Sequence, residues 1–115
     1  METVVIGFIP PIVGLDDEFN TFRLGKKLGN LAIGSEVLLM DEKRKVVFGK
    51  AIVLDVTVGP LSALCAVYAP ENHTELQHQD GKHAERLYQT LTKIYGPHIV
   101  KPDKTATVIK LRRSK

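Results

Sequence analysis

Thr21 and Arg23 stand two residues apart in Asn20-Thr21-Phe22-Arg23-Leu24, the spacing at which a strand projects side chains to one face. A hydroxyl beside a guanidinium can hold one polar or anionic partner, so the pair reads as a binding face and not as a buried core strand. Lys26 and Lys27 follow at once and add positive charge. A second cluster, Glu71-Asn72-His73, offers a carboxylate, a carboxamide and an imidazole in a row. Such a set can donate to and accept from a base edge, or move a proton where the carboxylate is partly desolvated. The same residues suit a capped helix end and a solvated chain reversal, and the sequence leaves both readings open. Tyr68 is the aromatic expected to stack on a base, because Tyr88 and Tyr95 fall on an apolar helical stripe and Phe22 alternates with Thr21 and Arg23.

Neither a metal nor a cofactor is expected. His73, His78, His83 and His98 lack carboxylate or cysteine partners at ligand spacing, and no phosphate loop or dinucleotide fingerprint occurs. The lone Cys65 sits in an apolar stretch, which rules out a disulfide framework within the chain and suits a small buried side chain.

The elements that must position these residues can be read in order. At 115 residues, 43% hydrophobic and 25% charged, the chain fits one globular domain spanning 1–115. Val4 to Ile9 reads as a strand stopped by Pro10-Pro11, and Gly14 to Asn20 as a loop. Short strands are expected at Thr21 to Leu24 and Val37 to Met40, with a hairpin tip over Asp41 to Lys45. Val46 to Val58 is β-branched and broken by Gly49, which predicts a long strand with a bulge or bend. Pro60 can open a short helix from Leu61 to Val67, ahead of a polar loop from Pro70 to Gly81. Ala84, Leu87, Tyr88, Leu91, Ile94 and Tyr95 recur at helical spacing before Gly96-Pro97, and Thr105 to Leu111 alternates as a last strand. The economical architecture is α+β, a small, mostly antiparallel barrel flanked by two or three helices.

The net charge of +3 permits a polyanionic partner, and its distribution says more. Arg23, Lys26 and Lys27 form one basic group, and Lys110, Arg112, Arg113 and Lys115 form another at the C-terminus. If the two meet they make a phosphate-holding patch; otherwise they are a solvated surface and a frayed tail. No apolar run reaches the length of a membrane span, so a cytoplasmic protein without a membrane partner is expected.

In this order the parts resemble the ASCH domain of the PUA-like superfamily. The match runs through Thr21-x-Arg23, Gly34-Ser35-Glu36-Val37, the valine-rich strand ending Gly59-Pro60-Leu61, and Glu71-Asn72. It continues through Lys93-Ile94-Tyr95-Gly96 to Thr107-Val108-Ile109-Lys110-Leu111. The resemblance implies a PUA-like β-barrel whose cleft, between barrel and helices, takes RNA or a modified nucleoside. Thr21, Arg23, Lys26, Lys27, Tyr68, Glu71, Asn72 and His73 are the expected ligand contacts in a monomeric protein. Similar bacterial relatives are acetylcytidine amidohydrolases that use a lysine, a threonine and a glutamate. Thr21 and Glu71 match two of these, whereas Asp16, Asp17 and Glu18 stand where the lysine would be. An RNA- or nucleotide-binding protein is therefore the leading expectation. Hydrolysis of an acylated nucleoside by Thr21 and Glu71, or an accessory module for a protein partner, are the alternatives.

Overall fold

The computed structural model describes residues 4–9, 12–76 and 78–114, so Pro10, Pro11 and Lys115 lie outside the described residues. Five strands form one curled sheet: β1 (Val4–Phe8), β2 (Glu18–Leu24), β3 (Glu36–Asp41), β4 (Val46–Pro60) and β5 (Thr105–Arg113). Between β4 and β5 come helix α1 (Leu61–Tyr68), a 3-10 turn (Ala69–Glu71) and helix α2 (His83–Tyr95).

The spatial order is β1-β3-β4-β5-β2, with β1 parallel to β3 and the remaining neighbours antiparallel. The sheet is therefore mixed, a correction to the mostly antiparallel barrel expected from sequence. The chain between Phe8 and Glu18 is long enough to cross the curl, which lets β1 lie beside β3 and not beside β2. β2 also begins earlier than expected, at Glu18, because it pairs with β5 from Glu18–Arg112 through Leu24–Ala106.

Two irregularities bend β4. Its register against β3 shifts beside Gly49, and its register against β5 shifts between Val53 and Asp55. An extra residue on one strand increases local twist, and here it curls the sheet around an interior. Asp41 Oδ1 accepts from the Lys43 and Arg44 amides at 2.9 and 3.1 Å and closes the β3–β4 turn.

Both faces of the sheet carry buried core residues. Phe8, Phe19, Leu39, Val53, Ile109 and Leu111 pack inside the curl, while Phe22, Ala106 and Val108 meet Leu61, Leu64, Leu87 and Leu91 of the helices. Cys65 is buried in that second layer, and burial pushes its thiol up to about 11. Strand alternation thus sends Phe19, Thr21 and Arg23 inward and Phe22 to the helices. The expected exposed face on β2 is corrected accordingly: Thr21 is 2% exposed.

Lys110, Arg112 and Arg113 are not a frayed tail, because β5 runs through Arg113. Arg113 donates to the carbonyls of Leu15 and Phe48, each at 3.1 Å, and lies over the Phe48 ring. Nor do the described members of the two basic groups meet. Lys26 and Lys27 follow the Leu24–Ala106 end of the pairing, whereas Arg112 opposes Glu18 at the other end, about 20 Å away at strand rise. Among the described residues, no helix is long and apolar enough to cross a membrane.

β2 is an edge strand whose outer side is closed by residues 72–73. The Asn20 carbonyl accepts from the His73 amide at 3.2 Å and from Asn72 Nδ2 at 3.3 Å, and Asn20 Nδ2 donates to the Tyr68 carbonyl at 2.8 Å. Asn72 Oδ1 in turn accepts from the Thr74 amide and hydroxyl at 3.0 and 2.7 Å. Asn20 and Asn72 are almost wholly buried, so removing one amide strands several partners. Asn72→Ala is expected to lower stability by about 2 kcal/mol in urea unfolding, with His73 and Thr74 becoming mobile.

Candidate functional site

The curl does not close. Between the end of β1, the 72–74 segment on β2 and helix α2 lies a cleft of about 780 Å³. Phe8, Val13, Leu87, Leu91 and Ile94 line it with apolar surface. Thr21, Arg23, Asn72, His73 and Thr74 supply polar groups, and Glu42, Lys93 and Tyr95 also line it.

Arg23 is partly buried and lines the cleft beside Phe8. Its guanidinium carbon lies 5.0 Å from the Phe8 ring centroid, a cation–π contact on one face only. Among the described residues, its buried Nε has no hydrogen-bond partner and no carboxylate lies within ion-pair distance. Burial, opposed by the nearby Tyr95 and Glu42, pulls the guanidinium below its ordinary range. An unpaired buried donor on a cation is costly in a folded chain.

His73 stands beside it, edge-on to Phe8 and Phe19 with ring centroids 5.2 and 6.3 Å away. Its Nδ1 meets the Val13 carbonyl at 3.3 Å. A carbonyl can only accept, so Nδ1 carries the proton and Nε2 keeps its lone pair. Burial, opposed by that hydrogen bond and aided by the charge of Arg23, lowers the His73 pKa from 6.5 to about 4. The loop that supplies Val13 needs Gly14, whose φ of 70° and close approach to the His73 carbonyl leave no room for a Cβ.

The other expected site residues divide. Thr21, Arg23, Asn72 and His73 share the cleft, but the Asn72 amide is committed to Asn20 and Thr74 and serves to position the segment. Glu71 and Tyr68 lie elsewhere, in a smaller pocket of about 140 Å³ with Asn20, Asp55, Thr57 and Lys110. There the Glu71 carboxylate sits 3.0 Å from Lys110 Nζ and holds that ammonium above the ordinary lysine range, with Glu18 at 3.9 Å. Thr21 and Glu71 therefore do not meet in one cleft: odd and even positions along β2 face opposite layers, and Glu71 follows the even side through Asn20. Lys26 and Lys27 are exposed on the turn after β2 and do not line the cleft.

Glu42, Lys93 and Tyr95 were not anticipated at the site. Tyr95 lies on the apolar stripe that predicts core packing of α2, yet it is 38% exposed, and Ile94 is 44% exposed. The stripe signal covers the whole helix, whereas the last turn of α2 overhangs the cleft and leaves the packed core.

No known family model matches the sequence, and no curated protein matches it. The fold is similar to the crystal structure of protein EF3133 from Enterococcus faecalis V583, of the family designated DUF984. The TM-score is 0.60 at 10% identity, over 89% of this chain and 64% of that one. The chain thus spans less than two thirds of the length of that protein, and the likeness is one of fold.

Replacing Arg23 by Met removes the unpaired donor and forfeits one cation–π contact. The first effect, about 1–3 kcal/mol, outweighs the second, about 0.5–1 kcal/mol. Arg23→Met is expected to raise unliganded stability by roughly 1 kcal/mol in urea unfolding, the reverse of what a structural arginine would give. For His73, the unfolded chain binds more protons than the folded one between pH 6.5 and about 4. Stability therefore rises with pH across that window and is lost on acidification, by up to about 3 kcal/mol. Unfolding curves at neutral pH and near the lower limit should show that loss shrinking in His73→Gln.

Proposed function

We propose that this chain binds a nucleotide-like ligand, free or within RNA, in the cleft between its curled sheet and α2, as a PUA-like domain of the ASCH type. The observation that carries the reading is Arg23, whose buried Nε at the cleft has no partner among the described residues. Around it the cleft combines apolar walls with few polar groups, the composition of a small-molecule site. A phosphate on Arg23 would restore the missing hydrogen bond, and a base would cover the apolar wall of α2.

Hydrolysis of an acylated nucleoside ranks second. Thr21 faces the cleft, but the Glu71 carboxylate is held by Lys110 in the other pocket, so proton transfer between them has no short path.

Amide chemical shifts on addition of nucleoside monophosphates and short single-stranded RNA test the reading, with acetylcytidine included to detect turnover. Shifts at Thr21, Arg23 and His73 are expected, without product. Arg23→Gln, which keeps the stem and removes the charge, should weaken binding by about 1.5–3 kcal/mol, on the order of ten- to hundredfold. Affinity indifferent to that change would refute the site, and deacetylated product would promote the hydrolase.

A further inference from the structure

The free polar groups of the cleft can be counted by what they offer. Arg23 Nε is a buried donor with no acceptor among the described residues. His73 has spent its N–H on Val13 and offers a lone pair. The hydroxyls of Thr74 and Thr90 likewise donate inward, to Asn72 Oδ1 at 2.7 Å and to the Arg86 carbonyl at 2.9 Å, and retain only lone pairs. The Glu42 carboxylate at the wall, 2.5 Å from Lys45, is acceptor-only. Arg23 thus faces a set of acceptors, while the hydroxyls of Thr21 and Tyr95, also lining the cleft, can donate or accept.

The charges needed to follow a strand are elsewhere. Strand-binding grooves track successive phosphates with a row of cations, yet Lys26 and Lys27 are off the cleft, and Lys110 is paired with Glu71. Lys93 adds one exposed ammonium beside Ile94 and Tyr95. A volume of about 780 Å³ lies within the range that encloses one small ligand.

Resting on the nucleotide reading above, we infer that the cleft takes a single nucleotide with one phosphate on Arg23 and an amino-bearing base toward His73, Thr74 and Thr90. Adenine and cytosine present an exocyclic amine that donates; an oxo group at the same place would face lone pairs and be repelled. At neutral pH the His73 imidazole stays uncharged and keeps its acceptor.

Titration calorimetry with three probes tests this: adenosine monophosphate, inosine monophosphate, which exchanges the amine for an oxo group, and a short single-stranded adenosine RNA. Adenosine monophosphate is expected to bind at least about tenfold tighter than inosine monophosphate, as one discriminating hydrogen bond allows. The RNA should bind no tighter than the mononucleotide, with a salt dependence of about one phosphate. The preference should survive in Lys26→Ala and be lost in His73→Phe, whose fold is checked by its unfolding transition. Equal affinity for the two mononucleotides, or much tighter binding of the RNA with a steep salt dependence, overturns the inference while sparing the nucleotide reading. Failure of all three to bind, with the protein folded, removes both.

Discussion

An edge strand must satisfy the backbone groups on its open side, and β2 does so with residues 72–73 instead of another strand. The Asn20 carbonyl receives two donors from that segment, and Asn20 itself reaches the Tyr68 carbonyl at the end of α1. This buried clasp ties the sheet to the helical layer. Because residues 72–73 follow the β2 edge, His73 falls between Phe8 and Val13, and the segment cannot shift without breaking several hydrogen bonds at once. The chain then continues to Glu75, almost wholly buried, which pairs with Arg86 and His83 on α2 and so fixes the helix over the cleft.

With that frame in place, β2 has no free face. Its even positions serve the clasp and the helical core, and its odd positions serve the interior and the cleft. Arg23 is the point where the two demands conflict. Packing alone would favour an apolar side chain against Phe8, yet a cation stands there with a donor unsatisfied among the described residues. Folded chains retain such a group where something other than the fold requires it, which is why the candidate site rests on Arg23 more than on cleft shape.

Much of the architecture could be read locally. The β-branched run from Val46, the Asp41 turn, proline at the start of α1 and glycine after α2 are rules of short range, and each element appears within a few residues of its expected place. The parallel β1–β3 pair was not legible, since strand neighbours depend on how the chain crosses the curl. Glu71, Asn72 and His73 show the same divide at the site. Adjacent in sequence, they point to a lysine, to buried amide partners and into the cleft, and no spacing rule separates those fates.

By itself the sequence determined the element types, the small α+β domain and the shared face of Thr21 and Arg23, because strand alternation and helical periodicity are properties of neighbouring residues. Only the tertiary structure decided that this face looks into a cleft, that Glu71 lies apart from it and that the described members of the two basic groups stay separate. Those outcomes follow from the curl of the sheet and from which buried polar groups found partners, and both are set by contacts between residues far apart in the chain.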